Sequence, residues 1–240
     1  MDGRPFTLNG TDVIARPAGT LWWPGARLLA VADLHLGKAE RMARRGGTLL
    51  PPYEARATLE RLRAEVEALS PATIVCLGDS FDDTVAGMEL EGEARGAIEA
   101  LMTGRRWIWV AGNHDPVPPT FGGEAVEHWL AGPLHFRHIA ATEPAPGEVS
   151  GHYHPKIRLF LRGRGLSSRC FVHDGSRAIL PAFGTYTGGL SVTDPALASL
   201  VAREQAEIIL ARPGGHALPL ARVTGAREVQ ARPAARTGAW

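Results

Sequence analysis

A chain of 240 residues with 45% apolar and 21% charged residues has the make-up of a soluble globular protein, long enough to bury a substantial core. A net charge of +1 carries no strong nucleic-acid signature, and Lys38 and Lys156 are the only lysines among cations that are otherwise arginine. No apolar run reaches the length of a membrane span, the N-terminus lacks a basic-then-apolar leader, and Cys76 and Cys170 suggest reduced core thiols, so a cytoplasmic protein is expected.

Strand candidates at 12–15 and 20–23 lead the chain, parted by Pro17 and Gly19 and closed by Pro24-Gly25. They read as an edge hairpin, with Trp22 and Trp23 covering a sheet edge. The apolar run 28–32, the length of a strand buried on both faces, then spills into Asp33-Leu34-His35-Leu36-Gly37. Two residues apart, Asp33 and His35 leave extended backbone on the same side. A carboxylate and an imidazole at a strand's carboxyl end suit a divalent metal. The basic stretch 38–45 follows. It reads either as a solvated helical turn or as a phosphate contact through Lys38 and Arg41.

Pro51-Pro52 introduces a helix to about residue 69, with Leu59, Leu62, Val66 and Leu69 on one face. A strand at 73–77 runs into Gly78-Asp79-Ser80-Phe81-Asp82-Asp83. A second helix, 89–102, stops at Gly104, and a strand at 107–111 runs into Gly112-Asn113-His114-Asp115. Alternating strands and helices predict a parallel or mixed sheet covered by helices.

Beyond Asp115 come a Pro- and Gly-rich loop, a short segment at 124–130, a strand at 133–139 and a Pro-rich connection at 142–147. Val149-Ser150 then leads into Gly151-His152-Tyr153-His154-Pro155. Strands at 157–161, 170–173, 178–180, 190–192 and 206–210 predict a second sheet packed on the first, and His173 and His216 read as surface residues. Residues 1–222 form a single expected domain, and 223–240, poor in large apolar groups, an expected disordered tail.

Four times an apolar strand spills into a glycine turn bearing oxygen or nitrogen donors. Glycine lets backbone turn sharply and pass close to an ion, and loops beyond strand ends are where ligands collect in open α/β sheets. Asp33, His35, Asp79, Asn113, His152 and His154 include no thiolate. That set suits Mn²⁺, Fe or a mixed pair in a catalytic centre better than a structural zinc site. Six or seven donors exceed one tetrahedral ion but fit two ions sharing a carboxylate, and such a pair activates water and clamps phosphoryl oxygens. Phosphoester hydrolysis is the expected reaction.

In order, Asp-x-His, Gly-Asp with further acids, Gly-Asn-His-Asp and Gly-His-x-His resemble the calcineurin-like metallophosphoesterase superfamily. The resemblance implies an α/β fold, a four-layer αββα sandwich of two mixed sheets. It also implies that Asp33, His35 and His154 hold one metal, that Asn113 and His152 hold the other, and that Asp79 bridges. His114 matches the residue that stabilises the transition state or protonates the leaving oxygen. A further ligand histidine is expected at the end of the strand before Gly151; His138 lies nearer that end than His135 and is preferred. Asp82, Asp83 and Asp115 are expected to support the ligands from behind.

Gly78 to Phe81, Gly151 to Lys156 and Leu180 to Leu190 resemble, more narrowly, the ligase-associated DNA damage response endonucleases of bacteria. That resemblance implies Mn²⁺, with Fe or Zn as substitutes, and DNA as substrate, single-stranded by preference. It implies functional association with a DNA ligase, a helicase and an exonuclease, and leaves a homodimer open. Asp82 stands where histidine is expected in that group. A hydrolase of small phosphodiesters or nucleotides and a non-catalytic scaffold are the competing readings.

Overall fold

The computed structural model describes residues 2–44, 46, 53–88, 90, 92–117, 119, 121–143, 145–161 and 164–223. Its first sheet runs in strict chain order: β1 (Arg4–Leu8), β2 (Thr11–Ala15), β3 (Leu21–Trp23), β4 (Leu28–Val31), β5 (Thr73–Leu77), β6 (Arg106–Val110) and β7 (Glu124–Val126). The first four strands are antiparallel to their neighbours, and β4 to β7 are parallel. Parallel neighbours need crossovers. These are supplied by α1 (Lys38–Arg44) and α2 (Glu54–Leu69) between β4 and β5, and by α3 (Thr84–Met88) and α4 (Gly92–Met102) between β5 and β6.

The second, eight-stranded sheet holds β8 (His128–Ala131), β9 (Leu134–Arg137), β10 (Glu148–Ser150), β11 (Lys156–Leu161), β12 (Arg164–His173), β13 (Arg177–Ile179), β14 (Glu207–Leu210) and β15 (Ala217–Pro219). Their order is β15-β14-β12-β13-β10-β9-β8, with β11 paired to β12. Within it β9, β10 and β13 are parallel.

Strand alternation sorts the apolar side chains into three cores. Leu28, Ala30, Val75, Leu77, Ile108 and Val110 face Phe136, Val149, Phe171, Ala178 and Ile209 between the sheets. Leu29, Val31, Ile74, Cys76, Trp107 and Trp109 face Leu59, Leu62 and Val66 of α2 and Ile98 and Leu101 of α4. Cys170, Val172, Ile179, Ile208 and Leu210 meet Leu197 of α5 (Pro195–Ala198) and Leu220 of α6 (Leu220–Val223). Three cores separate four layers, and burying each large side chain contributes about 1.5–3 kcal/mol. The architecture is the expected αββα sandwich, thin in helix on the second sheet. Buried Glu65 anchors α2 to the sheet edge, its two oxygens accepting Arg16 Nε and Nη2 at 3.0 Å each. Thr20 Oγ1 donates to the same carboxylate at 2.6 Å.

Several local expectations change. The edge hairpin is a three-stranded meander including β1, so β3 is interior. Its alternating residues face opposite cores: Trp22 lies under α2, and Trp23 packs toward the space between the sheets. The segment 124–130 is two strands, β7 in one sheet and β8 in the other, so the chain changes sheet at Glu127. Residues 190–192 make only an isolated bridge, Lys156 to Ser191. His173 is 6% exposed and stacked on Phe6 at 4.1 Å rather than on the surface, because β12 is an inner strand. Apart from Val223, which closes α6, the expected tail lies outside the described residues.

Candidate metal centre and active site

Register brings the four loops together. In the first sheet Val31, Cys76 and Trp109 are level across β4, β5 and β6, so Asp33, Asp79 and Asn113 leave at one edge. In the second, Arg137, Ser150 and Ile179 are level across β9, β10 and β13, so His138, Gly151 and Leu180 leave together. A parallel bridge from Ala32 to Ala182 joins the two edges. Both parallel segments therefore end at one place, where ligands of α/β sheets are held.

Two donor groups lie there, in each of which one atom per residue falls within 4.8 Å of the others: Asp33, His35 and His154, and Asp79, His138 and His152. In the first, His35 Nε2 and His154 Nε2 are 3.5 Å apart and His154 Nε2 is 3.2 Å from Asp33 Oδ1. In the second, His138 Nε2 is 3.2 Å from His152 Nδ1, 3.4 Å from Asp79 Oδ2 and 2.9 Å from Asn113 Oδ1. The groups share a wall, since both Asp33 oxygens accept the His152 N–H, at 3.2 and 3.0 Å. Imidazoles and carboxylates converging without a lysine, arginine or thiolate in either group are a chemically suitable set for two divalent ions. The strand places His138 in this set and leaves His135 against His128, ring to ring at 5.1 Å.

Backbone strain concentrates here. Of the eight described non-glycine residues with positive φ, five are Asp33, His35, Asp79, His152 and His154. Such conformations cost of order 1–3 kcal/mol each and persist where the surroundings over-determine them. Glycines supply the close approach: a Cβ on Gly151 would stand 2.6 Å from Asp33 Oδ2, and one on Gly112 would stand 2.2 Å from the Asp79 nitrogen.

Partners behind the donors set their tautomers. His138 Nδ1 lies 2.8 Å from the Leu77 carbonyl, which only accepts, so Nδ1 carries the proton and Nε2 faces the group. Asp82, 1% exposed, places Oδ1 3.0 Å from His35 Nδ1, a close polar contact rather than an aligned hydrogen bond. Its other oxygen holds Arg41 Nε, so that guanidinium turns back onto Asp82. Asp115 accepts the N–H groups of Asp79, Ser80 and Phe81 at 2.9, 2.8 and 3.1 Å and so shapes the Asp79 loop. Asp83 accepts from Ala86 N–H and caps α3. Lys38 is half-buried, and its N–H donates to Glu54 Oε1 at 2.8 Å. Glu54 ties α1 to α2 and was not singled out from sequence, where an acid in a helix's first turn is an ordinary cap.

His114 lies outside both groups. Its N–H donates to Asp79 Oδ1 at 2.9 Å, its Nδ1 meets the Asp82 carbonyl at 3.1 Å, and its Nε2 stands 4.0 Å from Asp79 Oδ2. The side chain is 39% exposed, at the mouth of the site.

Burial opposes charge on His138, but the hydrogen bond to Asp79 and the charges of Asp33 and Asp79 outweigh it and raise the ring to about 9. Burial likewise opposes charge on Asp79, yet His138, the His114 N–H and His35 bring it down to about 2. Burial, with the Asp79 charge, pushes Asp115 up to about 7 against its backbone donors. His152 is lowered by burial and by His138. A groove of about 780 Å³ between α2 and α4 is lined by none of these residues.

This fold and these paired donor groups define a phosphoester hydrolase of the divalent-metal type, and the chain belongs to the calcineurin-like phosphoesterase family, whose model matches residues 26–182. Over 88% of its length the chain is similar to the nuclease MPE of Pseudomonas putida, at 27% identity and a TM-score of 0.66, and the match covers 100% of that protein's chain. Among curated proteins no sequence matches. None of the described helices is long and apolar enough to cross a membrane.

Proposed function

We propose that this protein is a DNA endonuclease that hydrolyses phosphodiester bonds, preferring single strands, with two divalent ions of which Mn²⁺ is the first candidate. The observation that carries the reading is the pair of donor groups sharing Asp33 as a wall, with His114 at their mouth. Asp33, His35 and His154 would hold one ion, and Asn113, His138 and His152 the other, with Asp79 shared between them. Ions bound there supply Lewis acidity that polarises phosphoryl oxygens and lowers the pKa of a water nucleophile. An all-oxygen-and-imidazole set favours Mn²⁺ or Fe. Both thiols are buried in strands, with their pKa pushed up by burial.

The chain's own groups do the rest. His114 Nδ1–H is held by the Asp82 carbonyl, which leaves Nε2 to carry a second proton toward the leaving oxygen. Asp82 orients His35, and Asp115 fixes the loop that carries Asp79. Similarity to a nuclease supports a nucleic-acid substrate. The stretches Gly78 to Phe81, Gly151 to Lys156 and Leu180 to Leu190 support a place in DNA repair beside a ligase, helicase and exonuclease.

One observation favours a second reading, a hydrolase of small phosphodiesters: Arg41 is engaged by Asp82 rather than presented to a strand. A single assay separates the two. The Mn²⁺-loaded protein is given single-stranded, duplex and circular DNA beside bis(p-nitrophenyl) phosphate. Cleavage of circular single strands supports the endonuclease; turnover of the small ester alone supports the second reading.

A further inference from the structure

Gly184 to Leu190 is a short strap across the ligand loops. At one end Phe183 N–H donates to the Ala32 carbonyl at 2.8 Å and Gly184 N–H to that of Asp33 at 2.9 Å. At the other, Leu190 N–H donates to the Tyr153 carbonyl at 3.2 Å and Lys156 N–H to that of Leu190 at 2.8 Å. Both ends are too tight for side chains: a Cβ on Gly184 would stand 2.5 Å from the Leu34 carbonyl oxygen, and one on Gly189 would stand 2.2 Å from that of His154. The span between is therefore tied to the backbone of Asp33 at one end and to Tyr153 and Lys156, on either side of His154, at the other, with Gly189 packed against the His154 carbonyl. Two residues from Gly184, the Tyr186 Cα can stand no farther from it than about 7.6 Å.

Tyr186 is 39% exposed on this strap. Its neighbour Thr185 meets Thr58 Oγ1 at 2.9 Å and the Glu54 carbonyl at 3.5 Å, so the strap leans on the first turn of α2. The residue before that turn is Tyr53, 68% exposed. Among the residues whose burial is described, Tyr53 and Tyr186 are the exposed aromatic side chains. Lys156 Nζ donates to the Thr187 carbonyl at 2.8 Å and places a cation at the base of the strap.

Resting on the nuclease reading, we infer that Tyr186, with Tyr53 beside the same turn, is a stacking platform for a nucleobase of the strand being cut. An aromatic face accepts any base, and stacking of this kind is worth several-fold to over a hundred-fold in binding, about 1–3 kcal/mol per base. In a duplex the base faces are already stacked, so the platform selects single strands. Lys156 meets the backbone while the ring meets the base.

The test uses the full-length Mn²⁺-loaded protein on a single-stranded oligonucleotide and on the same strand made abasic. Tyr186→Ala is expected to raise KM on the normal strand about ten-fold or more with kcat within two-fold, and Tyr186→Phe to restore the wild-type value. On the abasic strand wild type and Tyr186→Ala should coincide, and Tyr53→Ala should move KM on the normal strand in the same direction. An unchanged KM in Tyr186→Ala overturns the inference while leaving the nuclease reading intact. Equal losses on normal and abasic strands overturn it too, because they mark a collapsed strap. A wild-type protein that cuts no DNA but turns over bis(p-nitrophenyl) phosphate sinks the nuclease reading itself, and this inference with it.

Discussion

Gly78 and His138 meet where no side chain fits between them: a Cβ on Gly78 would stand 2.5 Å from His138 Nδ1 and 2.6 Å from Cγ. The ring lies against bare backbone, and that contact lets its Nδ1–H reach the Leu77 carbonyl. Gly78 also has φ +72°, a conformation side-chain-bearing residues resist. Gly78→Ala should therefore displace His138 without deleting it. Metal content should fall toward one ion per chain and turnover by about 10–100-fold, the range for lost support of a ligand. Elemental analysis beside kcat checks this, with His138→Ala as the reference.

Asp79 faces His138 and receives the His114 N–H, so it joins the second donor group to the mouth of the site. Asp79→Ala should abolish hydrolysis and lower metal content together. Near-wild-type turnover in that variant would remove the two-ion reading.

His114→Ala should keep both ions, since the ring belongs to neither donor group. On the proposed DNA substrate, whose leaving group is a poorly stabilised sugar alkoxide, turnover should slow by about 10²–10⁴-fold. A nitrophenolate leaving group needs little protonation and should suffer much less. Equal losses on both substrates would assign His114 to positioning the phosphate instead of protonating the leaving oxygen.

The metal-free protein should lose stability in alkali through one ring. His138 is raised from 6.5 to about 9 when folded. Its favourable interaction with Asp79 and Asp33 is complete below the unfolded value and is lost as pH rises through the folded one. The loss is about 3 kcal/mol, at about 1.4 kcal/mol per unit. Melting temperature should drop between pH 7 and 10 in metal-free wild type and stay flatter in His138→Asn. Asp79, lowered to about 2, acts at the opposite end. Its contribution is present above about 4 and disappears as pH falls through about 2. Metal binding near pH 7 should release a proton from His138, because a ligating imidazole is neutral; calorimetry in buffers of different ionisation enthalpy reads it directly.

Local pattern alone carried the chemistry of the site. Three of the four donor-bearing loops follow an apolar run of strand length, the fourth follows Val149-Ser150, and each carries a glycine, so Asp33, Asp79, Asn113 and His152 could be placed at strand ends. The face of α2 was equally legible, because Leu59, Leu62 and Val66 repeat with the helical period. Such signals are short-range: burial and backbone geometry constrain residues a few positions apart.

Tertiary structure decided whatever depends on which distant group stands opposite. His135 lies within β9 and His138 one residue past its end, and the Leu77 carbonyl and the bare Gly78 select His138. Nothing near Arg41 in the chain foretells that Asp82 claims it, and nothing near His173 foretells that Phe6 covers it. The meander strand β1 and the change of sheet at Glu127 leave no local signal for the same reason. Both are set by pairing with segments far along the chain, and the free energy of that pairing is absent from any local window. The sorting of the donors into two groups follows from register, as β4 to β6 and β9, β10 and β13 end level at one edge of the sandwich.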